Sequence, residues 1–129
     1  MNLDNLKFRA ISMCRGEHWV YGLPRHYASN PHTEKWTLYD PQTGIETDIE
    51  PETLGQFTGL FDKDGNEIYE GDIMAIEAPF SMLYREVKYS EVKGAWIAVT
   101  DYSWNYLHEI NTTYKVVGNI HDNPELLKQ

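Results

Sequence analysis

The segment from Pro51 to Ile73 limits what this chain can fold into more than any other. Asp64-Gly65-Asn66 lies between Thr58-Gly59-Leu60 and Ile68-Tyr69. Glycine and asparagine tolerate the positive φ that tight reversals demand, so the chain can turn back here as a β-hairpin. Gly59, Gly65 and Gly71 are each expected where a β-carbon is disfavoured, with φ above zero at Gly65.

Short strands separated by turns continue the pattern on both sides. Leu6–Ile11 alternates apolar with polar, and His18–Gly22 follows the turn-prone Arg15-Gly16, which predicts a first hairpin. From Leu23 to Lys35 the residues Pro24, Ser29, Asn30 and Pro31 break the period, predicting an exposed loop. Trp36–Asp40 and Ile45–Ile49 flank the turn Pro41-Gln42-Thr43-Gly44. Pro51-Glu52-Thr53 suits one helical turn, because proline fits a first helical position. Ile73–Glu77 is apolar enough for a strand buried on both faces, and Pro79 interrupts it. Arg85–Ser90 and Ala95–Val99 read as a strand pair turning near Lys93-Gly94, and Thr113–Ile120 as a last strand. Tyr102–Ile110 mixes aromatic and polar residues and fits neither period.

At the end of the chain, Asn123 suits an N-cap, Pro124 a first helical position and Glu125 the positive helix end, which predicts a short C-terminal helix. With no repeat, low-complexity tract or linker, residues 1–129 read as a single domain. The expectation is an all-β domain of roughly seven to nine short antiparallel strands with that helix. Phe57, Leu60, Ile68, Ile73, Ile76, Trp96, Ile97, Val99, Val116 and Ile120 are its expected core.

Charge narrows the function. The chain has 129 residues and a formal net charge of −9, and no two of its eleven lysines and arginines are adjacent. Nucleic-acid backbones are gripped by clustered cations, so direct nucleic-acid binding is disfavoured. An acidic surface suits a partner with a basic one, and it also keeps a protein in solution. No apolar run approaches the roughly 20 residues of a membrane span, and Met1–Leu6 lacks the basic and apolar regions of a secretory signal. Cys14 is the only cysteine, which fits a reducing compartment. Its expected role is a small apolar filler on a strand.

Candidate chemistry is sparse. Asp62-Lys63-Asp64-Gly65-Asn66 resembles the start of a calcium loop, but counting from Asp62 places Glu67 at position 6 and Ile73 at position 12, where glycine and glutamate are required. Glu70 and Asp72 are close in sequence and could share a proton or hold a metal, but Gly71 between them predicts a tight turn whose N–H groups those carboxylates cap. His18, His26, His32, His108 and His121 show no helical i, i+4 pairing or H-E-x-x-H arrangement, and His26 and His32 are expected exposed in the loop. No phosphate loop, dinucleotide fingerprint or nucleophile elbow occurs. Trp96, Tyr102, Trp104 and Tyr106 make an aromatic stretch with no lysine or arginine between Trp96 and Ile110, which suits packing or a protein contact better than base stacking.

Several blocks resemble the YopX family of small proteins from bacteriophages and prophages. They are Lys7-Phe8-Arg9-Ala10, then Thr53 through Leu60, then Asp62 through Ile73, and last Val117 through Leu127. They occur in the family's order over nearly the whole chain. Ile11 departs from the pattern, since an aromatic commonly follows the Arg-Ala pair, and residues 74–112 match loosely. The resemblance implies a mostly β, partly open barrel-like domain in the cytoplasm of a bacterial host. It carries no activity with it, so no catalytic, cofactor-binding or metal-binding residue can be transferred.

The sequence therefore points to a phage or prophage accessory protein, a non-catalytic module that binds a host or phage protein without a cofactor. Homo-oligomerisation is left open. Tyr69, Glu70, Asp72, Trp104 and Tyr106 are the candidate functional-surface residues. One alternative is a metal-assisted hydrolase using Asp62, Asp64, Glu70 or Asp72 with a histidine such as His121. Another is a nucleic-acid-associated factor acting through a partner.

Overall fold

Period-2 alternation is realised as eleven strands in a computed structural model that describes residues 5–28, 34–77, 79 and 82–128. The chain divides into two compact units, Met1–Phe57 and Thr58–Gln129. The strand pairs with a recorded register are all antiparallel. The fold is all-β, and no sheet closes into a barrel among the described residues.

In the first unit, β1 (Phe8–Ile11), β2 (Trp19–Tyr27), β3 (Lys35–Asp40) and β4 (Ile45–Asp48) are followed by a 3₁₀ turn, Pro51–Thr53, and the start of β5 (Gly55–Phe61). The strand order is β4-β3-β2-β1-β5. Register places Ala10 opposite Val20 and Leu38 opposite Thr47, so alternate residues turn to one face. Ala10, Leu38 and Ile49 form the buried core there, with Phe8, Val20, Trp36 and Leu54 packed around them. The 3₁₀ turn is tied to β1 by Thr53, whose hydroxyl oxygen accepts the Ile11 N–H at 2.8 Å and donates to the Glu50 carbonyl at 2.6 Å.

In the second unit, β5 continues into a hairpin with β6 (Glu67–Tyr69). A five-stranded sheet follows, built from β7 (Asp72–Glu77), β8 (Met82–Ser90), β9 (Ala95–Val99), β10 (Trp104–Tyr106) and β11 (Lys115–Asn119) in the order β10-β9-β8-β7-β11. The helix α1 (Leu107–Ile110) and a C-terminal 3₁₀ helix, Pro124–Lys128, complete the unit. Its core gathers Ile68, Met74, Val87, Ala98, Leu107 and Tyr114. Each Ile, Met, Val or Leu side chain among them contributes about 1.5–3 kcal/mol when removed from water.

Of the expected core, Phe57, Ile68 and Ile73 are buried, and Leu60, Ile76, Trp96, Ile97, Val99, Val116 and Ile120 are half-buried. Gly59, Gly65 and Gly71 have φ of 82°, 84° and 88°.

Three expectations need correction. Leu23–Tyr27 is strand and not loop: the register with β3 runs from Leu23 opposite Tyr39 to Tyr27 opposite Lys35. Pro24 is tolerated because it lies beyond the end of β1, whose pairing stops at Gly22. His26 is accordingly exposed on a strand, stacked on Trp36 at 4.3 Å. Ser29, Asn30, Pro31 and His32 of the expected loop lie outside the described residues, as do Met1 to Asp4 of the N-terminal reading. Cys14 is exposed in the β1–β2 turn and is no core filler. Strands number more than nine because very short ones, β6 and β10, are held by their neighbours where sequence periodicity is too brief to show. The expected short C-terminal helix, by contrast, is present in 3₁₀ form, with the Leu126 N–H bonded to the Asn123 carbonyl at 3.1 Å.

Candidate functional site

Two carboxylates around the β5–β6–β7 connection, Asp62 and Asp72, are engaged by backbone. Asp62 is 5% exposed. Its Oδ1 accepts the N–H groups of Asp64 at 2.9 Å and Asn66 at 2.8 Å. Its Oδ2 accepts the Val116 N–H at 2.9 Å and the Asn66 side-chain amide at 3.3 Å. Burial pushes the Asp62 carboxyl up, and the N–H donors of Val116, Asn66 and Asp64 together outweigh it, holding the group below the usual aspartate value. The segment that resembles a calcium loop is thus a hairpin tip closed around an anionic side chain.

In the Tyr69-Glu70-Gly71-Asp72 turn, Asp72 is 1% exposed and its Oδ2 accepts the Tyr69 N–H at 2.7 Å. Tyr69 is buried, and its hydroxyl donates to Glu67 Oε1 at 3.2 Å. Gly71 donates its N–H to the Val87 carbonyl and accepts the Ile120 N–H, each at 2.9 Å. A β-carbon on Gly71 would make only ordinary contacts, the nearest 3.6 Å away, so the φ of 88° is what requires glycine there. Of these candidates only Glu70 is exposed. His121 is exposed, and its N–H donates to Asn119 Oδ1 at 3.0 Å. Among the described residues, no three His, Cys, Asp or Glu side chains converge so as to hold a metal ion.

Trp104 and Tyr106 occupy a different setting, on the edge strand β10. Register aligns Glu86, Val99 and Trp104 in one row across β8, β9 and β10, and Lys88, Ile97 and Tyr106 in the next. These residues share one sheet face, and the alternate residues Val87 and Ala98 are buried on the other. The Trp104 and Tyr106 rings meet edge-to-face at 5.1 Å, and Tyr106 stacks on His108 at 5.4 Å. Lys93 places its ammonium 4.1 Å from the Trp104 ring centre. This cation–π contact has no linear signal, because the cation comes from the β8–β9 turn outside the aromatic stretch. Trp104 is 43% exposed, and Tyr102 in the preceding turn is 97% exposed.

The first unit adds two adjoining cavities that both reach Tyr21 and Asp40. They were not legible in the sequence, since they depend on β2 continuing through Leu23 beside β3. No helix among the described residues is long and apolar enough to cross a membrane.

Comparison with known proteins agrees with this architecture. The family model described as YopX protein matches residues 7–128. The chain is similar to the crystal structure of protein EF1440 from Enterococcus faecalis, with 26% identity, a TM-score of 0.57, and coverage of 95% of this chain and 97% of that one. No functionally curated protein matches the chain.

Proposed function

The chain belongs to the YopX family, and from that premise we propose that it is a phage- or prophage-derived accessory protein that works without catalysis, as a protein-binding module in the cytoplasm of a bacterial host. The observation that carries this reading is the aromatic edge of β10. Trp104 and Tyr102 are large side chains left in water, and Trp104 shares a sheet face with half-buried Ile97, Val99 and Tyr106. Tryptophan and tyrosine combine a wide apolar area with a polar tip and lose little conformational freedom when covered, so they are enriched at the centres of protein contacts. Two of the four carboxylates that could have supported hydrolysis point the same way, because Asp62 and Asp72 are buried and already bonded to backbone N–H groups.

The test is capture from a host lysate with two baits, the wild-type chain and Trp104→Ala, compared at low and high salt. The expected result is one dominant protein on the wild-type bait, weakened by salt in keeping with an acidic surface. Truncating a central tryptophan typically costs at least about 2 kcal/mol of binding, so the Trp104→Ala bait should lose that protein while keeping its melting transition. Capture of nothing specific by a folded bait, or equal capture by both, overturns the reading.

A further inference from the structure

The smaller cavity of the first unit has the chemistry of a socket for one cationic side chain. Its volume is about 260 Å³, and its apolar walls are Val20, Leu38 and Ile45, with Glu17 and Asp40 also on its lining. Pockets that take whole small molecules run from ~300 to 1,000 Å³, so this one is sized for a side chain. Leu38 is fully buried, whereas Ile45 on the edge strand β4 is 61% exposed and would be covered by an occupant. Each carboxylate has one oxygen engaged within the chain. Asp40 Oδ1 accepts the Gln42 N–H at 2.9 Å, and Glu17 Oε2 accepts the Ser12 hydroxyl at 3.3 Å. The other oxygen of each carries no hydrogen bond among the described residues.

We propose that this cavity receives an arginine or lysine side chain presented by a partner protein. The methylene stem lies along Val20, Leu38 and Ile45, and the charged head meets Glu17 and Asp40. Arginine and lysine combine such a stem with a hydrated head, and the cavity offers the complement of both parts. The adjoining cavity of about 610 Å³, with Leu6, Leu23 and Pro41 on its lining, gives room for an apolar residue next to the cation in the same segment. The net charge of −9 favours the approach of a basic segment. Assigning the side chain to a protein rests on the protein-binding reading above, but the site itself is tested without any partner.

The experiment is an amide-shift titration of the ¹⁵N-labelled full chain with three probes: N-acetyl-arginine methylamide, its neutral citrulline counterpart, and spermidine. The expected result is saturable shifts centred on Val20, Leu38, Asp40 and Ile45 with the arginine probe. Citrulline should bind about fivefold more weakly, and so should arginine to Asp40→Asn or Glu17→Gln. Asp40→Asn keeps an oxygen for the Gln42 N–H, and Glu17 is exposed, so the two variants guard against a simple loss of folding. Shifts scattered over the acidic surface, equal binding of citrulline, or unchanged binding by both variants would overturn the proposal. Tighter binding of spermidine than of arginine at the same amides would overturn the assignment to a protein side chain. Failure here with successful Trp104-dependent capture removes this site alone. Saturable arginine binding with no captured protein removes the protein-binding reading and leaves the cavity.

Discussion

The Asp62 carboxylate accepts the backbone N–H of Val116 at 2.9 Å, across 54 positions of sequence. The same side chain closes its own hairpin tip through the N–H groups of Asp64 and Asn66. One buried carboxylate therefore links a local turn to β11, and its neighbours donate to it so fully that its role is architectural.

Replacing Asp62 with asparagine leaves one side-chain oxygen to serve three backbone donors. The expected loss is about 1–3 kcal/mol, read as a lower melting temperature and an earlier denaturant midpoint. An unchanged midpoint would mean that water satisfies these donors as well as the carboxylate does.

The same group predicts acid sensitivity. The Asp62 carboxyl is held below its ordinary value of 3.8. A group depressed in the folded state contributes its full stabilisation above the unfolded value and loses it as pH falls through the folded one. Glu46 acts in the same direction. It is lowered from 4.5 chiefly by the hydroxyl of Tyr27, then by that of Thr37. Stability should thus fall on acidification below about pH 4, and Asp62→Asn should show a shallower decline than the wild type. Parallel curves for the two proteins would contradict the assignment.

Asp72→Asn should lower stability by about 1–3 kcal/mol. Its oxygen can still accept the Tyr69 N–H, but at a site 1% exposed the new amide puts a buried N–H donor where the carboxylate had an acceptor oxygen. Partner binding measured below the variant's melting temperature should survive. A variant as stable as the wild type that had lost its partner would place Asp72 in the binding surface instead.

Gly22 marks the point where β2 leaves β1 and pairs onward with β3. A β-carbon there would stand 2.2 Å from the Tyr39 carbonyl oxygen. Gly22→Ala should therefore disrupt the pairing of β2 with β3, seen as lost amide protection in both strands. Substitution at Gly65, which has φ of 84° and nothing within 4 Å of an added β-carbon, should cost only the strain of about 1–3 kcal/mol.

Lys93→Gln removes the ammonium from the Trp104 ring. The expected cost to stability is only about 0.5–1 kcal/mol, the worth of an exposed cation–π contact. Solvent quenching of tryptophan fluorescence should rise in this variant and should not rise further when Trp104 is also replaced. A rise that persisted without Trp104 would show that another of the four tryptophans had been reporting.

What the sequence determined by itself is the all-β character and the local turns. Alternation in Phe8–Ile11 and Ile45–Asp48 and the glycines of the central hairpin act over a few residues, where sterics and side-chain period dominate. Only the tertiary structure decided what those elements face. Leu23–Tyr27 carries a helix-breaking, loop-like composition, but pairing with Lys35–Tyr39 overrides it, because ladder hydrogen bonds come from a strand that local propensity does not include. The Asp62–Val116 bond and the Glu17–Asp40 cavity likewise join residues far apart in the chain. Such encounters depend on register, and register is set by the packing of whole strands, which a window of neighbouring residues does not contain.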